Sequence, residues 1–200
     1  MVDNQIVGKP ISVQVETGSF LPDWHPYENY RKGYAAKKEL GGGILLTAIH
    51  EIDYLYWFFG NPKSIFSITG KFSDLSISVE DYSASLLQFK NKITVELHQD
   101  FFQGPEYRGC KLKGTDGIIS WNSINNEIKF YNNRTKKWQI IMKLKNFEKN
   151  QMYIDEIKYF LKCVKNRRKT INNLDDGINT MNIALAIKKS AIHKKIIKIN

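Results

Sequence analysis

Apolar and polar side chains alternate along several short stretches of the chain, which is the pattern of half-buried β-strands. The first stretch covers residues 11–18. Between residues 64 and 142 the same period of two recurs, most clearly in a hairpin formed by 83–89 and 93–97. Further strands are predicted at 110–113, 118–121, 128–131 and 138–142. Because these strands follow one another through short turns, they predict an antiparallel sheet without crossover helices between them.

Other regions have the apolar spacing of helices. Residues 44–59 are apolar on nearly every side, which is typical of a buried helix. Residues 154–164 and 178–192 each place their apolar side chains on one face, and Asn173 stands where it can cap the second of these helices. The apolar segment 196–199 indicates a short final edge strand.

These elements predict an α+β fold: a mostly antiparallel, open-faced β-sheet with helices packed on one face. With 42% hydrophobic and 25% charged residues, the sequence is interpreted as a single globular domain over residues 1–200. The other face of the sheet is left without a covering layer. An uncovered apolar sheet face is commonly an interface with a partner.

Charge and cysteine usage exclude several function classes. The net charge of +10 comes from scattered lysines, and the densest basic segments have the spacing of solvated helix faces, so nucleic-acid binding is not expected. No segment has the pattern of a signal peptide or a membrane span, which favours a cytoplasmic protein without membrane contact. Cys110 and Cys163 lack the spacing of metal ligands, and no metal site is predicted.

A stripe of polar residues interrupts the apolar segment 44–59. Thr47, His50, Glu51 and Tyr54 fall at helical spacing, so they share one face, and Asp53 lies one helical step from His50. Burying such groups without partners costs about 1–3 kcal/mol each, so the stripe should face partners, water or a ligand. A cleft meets that requirement. A histidine held in the core by main-chain groups is the competing interpretation for the imidazole.

The segment before this helix is rich in aromatic residues, which indicates a structured loop. Within residues 20–34, Tyr27, Tyr30 and Arg31 are candidates for recognising hydroxyl or phosphate groups, since arginine makes bidentate contacts and tyrosine carries a donor on an apolar ring. Packing within the loop explains the same residues equally well.

The run from Gly41 to Asp53, followed by Trp57 and Gly60, resembles the GGG…HxxD…W..G signature of the C-terminal domain of Gfo/Idh/MocA oxidoreductases. Residues 21–26, 108–121 and 153–197 are similar to a branch that acts on sugars and nucleotide sugars of surface-polysaccharide pathways. The resemblance covers essentially the whole chain. It implies a fold like that of the C-terminal domain of glyceraldehyde-3-phosphate dehydrogenase.

The resemblance also implies a two-domain enzyme whose Rossmann half binds NAD or NADP while the half seen here binds a sugar or nucleotide sugar and oligomerises. No GxGxxG follows a strand in these 200 residues, and the family's Glu-Lys-Pro lysine is absent, so no cofactor is expected to bind this chain alone. The expected partners are a second copy, as a dimer or tetramer through the open sheet face, and a separate Rossmann domain.

The resemblance assigns roles to the stripe. His50 is expected to line the substrate cleft, either as proton donor and acceptor for the reacting hydroxyl or as a hydroxyl ligand. Thr47 is expected to bind substrate where many members carry an aspartate that helps proton transfer. A threonine cannot act as a base at neutral pH. Asp53 is expected to orient His50 or a neighbouring backbone group. The alternative function is a non-catalytic binding or assembly module descended from such an enzyme.

Overall fold

The structure, a computed structural model, describes residues 6–145 and 147–199. The strands are β1 (Pro10–Gly18), β2 (Ser64–Gly70), β3 (Tyr82–Gln88), β4 (Thr94–Asp100), β5 (Tyr107–Gly114), β6 (Gly117–Asn122), β7 (Glu127–Asn132), β8 (Lys137–Lys143) and β9 (Ile197–Lys198). The helices are α1 (Ile44–Thr47), α2 (His50–Phe59), α3 (Lys149–Lys165) and α4 (Leu174–His193). Among the described residues, no helix is both long and apolar enough to cross a lipid bilayer.

The strands form one sheet in the order β8-β7-β6-β5-β1-β4-β3-β2-β9. The predicted α+β fold with a mostly antiparallel, open-faced sheet is confirmed, and the predicted edge strand is β9, which pairs with β2. One pairing differs from the expectation, because β1 lies in the middle of the sheet and runs parallel to β4. The connection between those two strands contains α1, α2 and the β2–β3 hairpin, so it is long enough to return the chain in the same direction.

Helices cover the inner face of this sheet. Val13, Val15 and Val95 project from its central strands into a core that also contains Ile183 and Ile187 of α4, and each of these side chains is at most 2% exposed. Burying an aliphatic side chain of this size stabilises the fold by roughly 1.5–3 kcal/mol. The packing of α2 and α4 against the sheet therefore fixes the positions of the side chains on α2.

The single helix predicted over residues 44–59 is divided into α1 and α2. The backbone leaves helical geometry at Ala48, where φ is −97° and ψ is 37°. The buried side chain of Gln99 on β4 donates from Nε2 to the Ala48 carbonyl oxygen at 2.7 Å, which replaces a hydrogen bond that the break removes. The break turns the start of α2 so that His50 becomes its first residue.

Candidate functional site

A cleft of about 620 Å³ opens where the carboxyl end of β1, the α1–α2 break and the loop before β5 meet. Thr17 and Ser19 contribute from the end of β1, while Thr47 and His50 contribute from the two helices. Tyr153 reaches the same cleft from α3. About half of the wall is polar, so the cleft can hydrogen-bond a polar ligand.

The structure places His50 at the surface of this cleft. Its side chain is exposed, so the interpretation of a histidine sealed in the core does not hold. Thr47, the last residue of α1, lines the same cleft, and its buried Oγ1 has no hydrogen-bond partner within the described part of the chain. A buried hydroxyl without a partner is rare in proteins, so Thr47 brings an unused donor and acceptor to the wall of the cleft.

Glu51 also lines the cleft, although its residue is only 1% exposed. The Nε of Arg108, on β5, donates to Glu51 Oε1 at 2.6 Å. The Arg108 guanidinium carbon lies 5.7 Å from the centre of the Trp121 ring, within the range of a cation–π contact. A buried carboxylate needs a partner of this kind, because an isolated buried charge is very costly. The ion pair is therefore part of the cleft wall and of its stability.

Tyr54 completes the predicted polar stripe but belongs to the layer behind the cleft. Its ring packs edge-on against Trp121, and burial raises the pKa of its hydroxyl well above the usual range. Burial likewise raises the pKa of Cys110 to about 12. Both groups are protonated at neutral pH, so neither can supply an anionic nucleophile or a base to the cleft.

Asp53 makes contacts on another side of α2. Its Oδ1 accepts a hydrogen bond from Thr180 Oγ1 at 2.9 Å, and its Oδ2 accepts one from Asn172 Nδ2 at 3.2 Å. Both partners belong to α4 or to the segment just before it. The partners seen for this carboxylate are thus Thr180 and Asn172 rather than His50. Its structural contribution is to tie α2 to α4.

The three candidates from the aromatic loop lie outside the cleft lining. Tyr27 is 81% exposed, and its hydroxyl is 3.1 Å from Nδ1 of His25. The Tyr30 hydroxyl accepts from the Ser76 backbone N–H at 3.3 Å, and the Arg31 guanidinium lies over the Tyr30 ring. These contacts are the ones expected if the three side chains pack within and beside their own loop. A substrate role for Tyr27, Tyr30 and Arg31 stays a prediction.

Several residues of the cleft received no site role from the sequence. Among them are Asp23, Trp24, Glu51, Glu106 and Arg108. Glu51 belongs to the stripe that led to His50, so its position was available as a signal. Arg108 follows Glu51 by 57 positions, and only the pairing of Thr17 on β1 with Arg108 on β5 brings it to the cleft.

The glycine triplet at 41–43 does not fit a dinucleotide. A Cβ on Gly42 would collide with the backbone carbonyl of Tyr34, and one on Gly43 would meet the carboxylate of Glu80. The space beside Gly42 and Gly43 is thus filled by protein oxygen atoms, which repel phosphate. The helix that follows has only four residues and cannot offer the extended N-terminus of a dinucleotide site.

The profile described as the oxidoreductase family, C-terminal alpha/beta domain, matches residues 1–199. The chain therefore belongs to the Gfo/Idh/MocA oxidoreductases and corresponds to the C-terminal domain of that family. No curated protein matches the sequence.

Solved structures share this fold at low sequence identity. A levoglucosan dehydrogenase in complex with NADH is 15% identical, with a TM-score of 0.86. The match covers 100% of this chain and 61% of the dehydrogenase chain. The aldose-aldose oxidoreductase from Caulobacter crescentus, complexed with glycerol, is 16% identical, with a TM-score of 0.83. The match covers 99% of this chain and 58% of that protein. An oxidoreductase from Agrobacterium radiobacter in complex with NAD+, L-tartaric acid and magnesium is 16% identical, with a TM-score of 0.77. The match covers 98% of this chain and 59% of that protein. This chain thus spans about three fifths of the length of each protein.

Proposed function

We propose that this chain is the substrate-binding half of an NAD- or NADP-dependent oxidoreductase that acts on a sugar or a nucleotide sugar. The observation that carries the proposal is the position of His50, whose exposed imidazole lines the same cleft as Thr47. A histidine has a near-neutral reference pKa, so it can both take and return a hydroxyl proton at physiological pH. The same fold in a levoglucosan dehydrogenase and an aldose-aldose oxidoreductase supports a sugar as the substrate class.

The residues of this chain have three tasks in the proposed enzyme. Thr47 hydrogen-bonds a substrate hydroxyl, His50 holds or moves the proton of the reacting hydroxyl, and Arg108 donates hydrogen bonds from the sheet. NAD or NADP supplies the redox chemistry when it is bound. Because the glycine triplet does not fit a pyrophosphate, the cofactor is assigned to a dinucleotide-binding domain beyond these 200 residues, on the same polypeptide or on another.

Helix α3 is the proposed contact surface for that domain. It carries a row of exposed apolar side chains, among them Ile157 at 60%, Phe160 at 55% and Leu161 at 59%. Exposed apolar rows of this length are typical of interaction surfaces. Tyr153 belongs to the same helix and lines the cleft, so a domain packed on α3 would also close the cleft.

The test is an activity assay of this chain joined to, or co-expressed with, a dinucleotide-binding domain encoded beside it. With a panel of sugars and nucleotide sugars, we expect cofactor reduction that falls by about 10²–10⁴-fold in His50→Ala, the usual effect of losing a general acid or base. His193, an exposed histidine at the end of α4, provides the matched control, and His193→Ala should keep full activity. Equal rates for the two variants would contradict the proposal.

The alternative is a binding or assembly module without dehydrogenase activity. Thr47 favours it, because a threonine stands where many members of the family carry an aspartate that helps proton transfer, and its side chain cannot remove a proton at neutral pH. An assembled protein that binds sugars through the cleft, but reduces no cofactor with any of them, would support this second function.

The outer face of the sheet is the proposed surface for self-association. Phe66, Ile68 and Leu86 form an exposed apolar group there, at 39%, 54% and 49%. Glu96, Gln14 and Lys111 lie side by side on β4, β1 and β5. A two-fold axis running along β1 between two such faces would place Glu96 of each copy over Lys111 of the other, which makes the surface self-complementary.

Sedimentation analysis of two variants tests this association. Ile68→Asp places a carboxylate in the apolar group and should produce monomers. Ile124→Asp changes an equally exposed isoleucine, 53% exposed, in the turn between β6 and β7, and should leave the oligomer intact. Monomers of the unaltered chain at micromolar concentration would contradict the proposed interface.

A further inference from the structure

Arg108 is held more firmly than a surface arginine. Its backbone carbonyl accepts hydrogen bonds from both the N–H and the Oγ of Ser123. Its Nε is held by Glu51, and the Trp121 ring lies against its guanidinium. Trp121 is in turn supported by Tyr54. An arginine fixed in this way loses little conformational freedom when it binds a ligand.

The same side chain remains available to solvent. The Arg108 side chain is 36% exposed, whereas that of Glu51 is 2% exposed. Glu51 takes only the Nε proton, and within the described part of the chain no hydrogen bond is seen to the two terminal nitrogens. A guanidinium can direct two parallel N–H groups at a pair of neighbouring acceptors. The part of Arg108 that is not used by Glu51 is therefore suited to two adjacent oxygen atoms.

The charges around the cleft indicate whether these two oxygen atoms belong to neutral hydroxyl groups or to an anionic group. Asp23, Glu51 and Glu106 line the cleft together with Arg108, so the wall contains three carboxylates and one guanidinium. Glu51 already balances the charge of Arg108 at close contact. The remaining carboxylates, Asp23 and Glu106, oppose the approach of a negatively charged group.

We infer that Arg108 determines substrate specificity by donating its two terminal N–H groups to neighbouring hydroxyl oxygens of an uncharged sugar, with Glu51 as its positioning residue. The inference rests on the proposed function and narrows its substrate class from sugars and nucleotide sugars to uncharged sugars. An acidic sugar, or the diphosphate of a nucleotide sugar, would meet the carboxylates of the cleft without a free positive charge to balance it.

Binding to the full chain can be measured without any cofactor, by following the imidazole NMR signals of His50 during titration. The probes are two matched pairs, D-glucose with D-glucuronate and D-galactose with D-galacturonate, in which each acid differs from its sugar by one carboxylate. We expect the uncharged sugar of at least one pair to shift the His50 signals and to bind at least about tenfold more tightly than its acid, while the His193 signals stay unchanged.

Two substitutions then separate specificity from folding. Arg108→Lys keeps the positive charge beside Glu51 but removes the planar pair of donors, so affinity for the uncharged sugar should fall about tenfold or more. Arg134→Lys, at an exposed turn between β7 and β8, is the matched control and should bind as the unaltered chain does. Urea unfolding of each variant shows whether the fold is intact.

Glu51→Gln gives a readout that a purely structural role would not produce. Removing the carboxylate charge frees the charge of Arg108, so the preference should move toward the acidic sugar, even if overall affinity falls. An unchanged ratio between acid and sugar would overturn the positioning role.

Full affinity in Arg108→Lys, a preference of the unaltered chain for the acids, or no shift of His50 with any of the four probes would overturn the role of Arg108. None of these results would remove the proposed function, because the His50-dependent cofactor assay in the assembled enzyme tests that separately.

Discussion

The two long helices of this domain, α3 and α4, have similar amphipathic patterns in the sequence and opposite environments in the structure. On α4, Ile183, Ala184 and Ile187 are at most 1% exposed against the sheet. On α3, Ile157, Leu161 and Val164 are about 60% exposed, and Cys163 is the buried apolar residue. The comparison shows that apolar spacing identifies a surface that needs a partner without saying whether that partner lies within the same 200 residues.

The largest expected difference between the two helices is the cost of removing an aliphatic side chain. Ile187→Ala leaves a cavity in the core and should lower the free energy of unfolding by about 2–5 kcal/mol. Ile157→Ala removes an exposed side chain and should change it by less than about 0.5 kcal/mol. Urea unfolding measures both. Similar losses for the two variants would show that α3 is covered in the isolated chain, which would contradict the difference in exposure between the two helices.

A second difference is a buried side-chain hydrogen bond that joins α4 to α2. No such bond is described beside the exposed apolar residues of α3. Thr180, 4% exposed, donates to Asp53 on α2. Thr180→Val keeps the shape of the side chain but removes the donor, so the free energy of unfolding should fall by about 1–3 kcal/mol. Thr135→Val, at an exposed turn, is the control and should be neutral in the same unfolding measurement. A neutral Thr180→Val would mean that water replaces the hydroxyl.

The helix starts differ as well. Asn173 and Asp176 form a capping box at the start of α4, whereas Glu148 at the start of α3 makes no capping hydrogen bond through its side chain. Asn173→Ala should therefore cost about 1 kcal/mol in thermal or urea unfolding, and Glu148→Ala should cost nothing measurable. If Glu148→Ala were the more harmful change, α3 would be the better anchored helix and our interpretation of its exposure would be wrong.

Local periodicity was sufficient to predict the strands and the Asn173 cap, because each depends on neighbouring residues. The break at Ala48 could not be predicted in this way. Residues 44–59 are apolar on nearly every side, and the carbonyl freed by the break is satisfied by Gln99, which is 51 positions away. The central, parallel placement of β1 beside β4 is equally non-local, since it depends on pairing across the intervening helices and hairpin.

The candidate site shows the same limit. Thr47 and His50 were predicted from the spacing of polar residues on one face of a helix, and the structure places both on one cleft. Arg108 could not be found from spacing, because its link to Glu51 exists only once β5 has paired with β1. Tyr27, Tyr30 and Arg31 illustrate the reverse case: closely spaced aromatic and basic residues whose described contacts remain within and beside their own loop.

The smallest expected effect concerns the one described polar contact that holds α3 to the segment before α4. The Tyr159 hydroxyl accepts a hydrogen bond from the Ile171 backbone N–H at 2.8 Å, at a site where the tyrosine is 37% exposed. Tyr159→Phe removes that acceptor and should cost about 0.5–1 kcal/mol or less, because water can reach the freed N–H. Hydrogen exchange resolves a change of this size better than unfolding does, and it should show faster exchange at Ile171 with α4 unaffected. Tyr153→Phe, on the same helix and 57% exposed, is the matched control and should leave exchange at Ile171 unchanged. If exchange at Ile171 were already fast in the unaltered chain, the contact would be too weak to hold α3, and the helix would depend on the proposed dinucleotide-binding domain for its position.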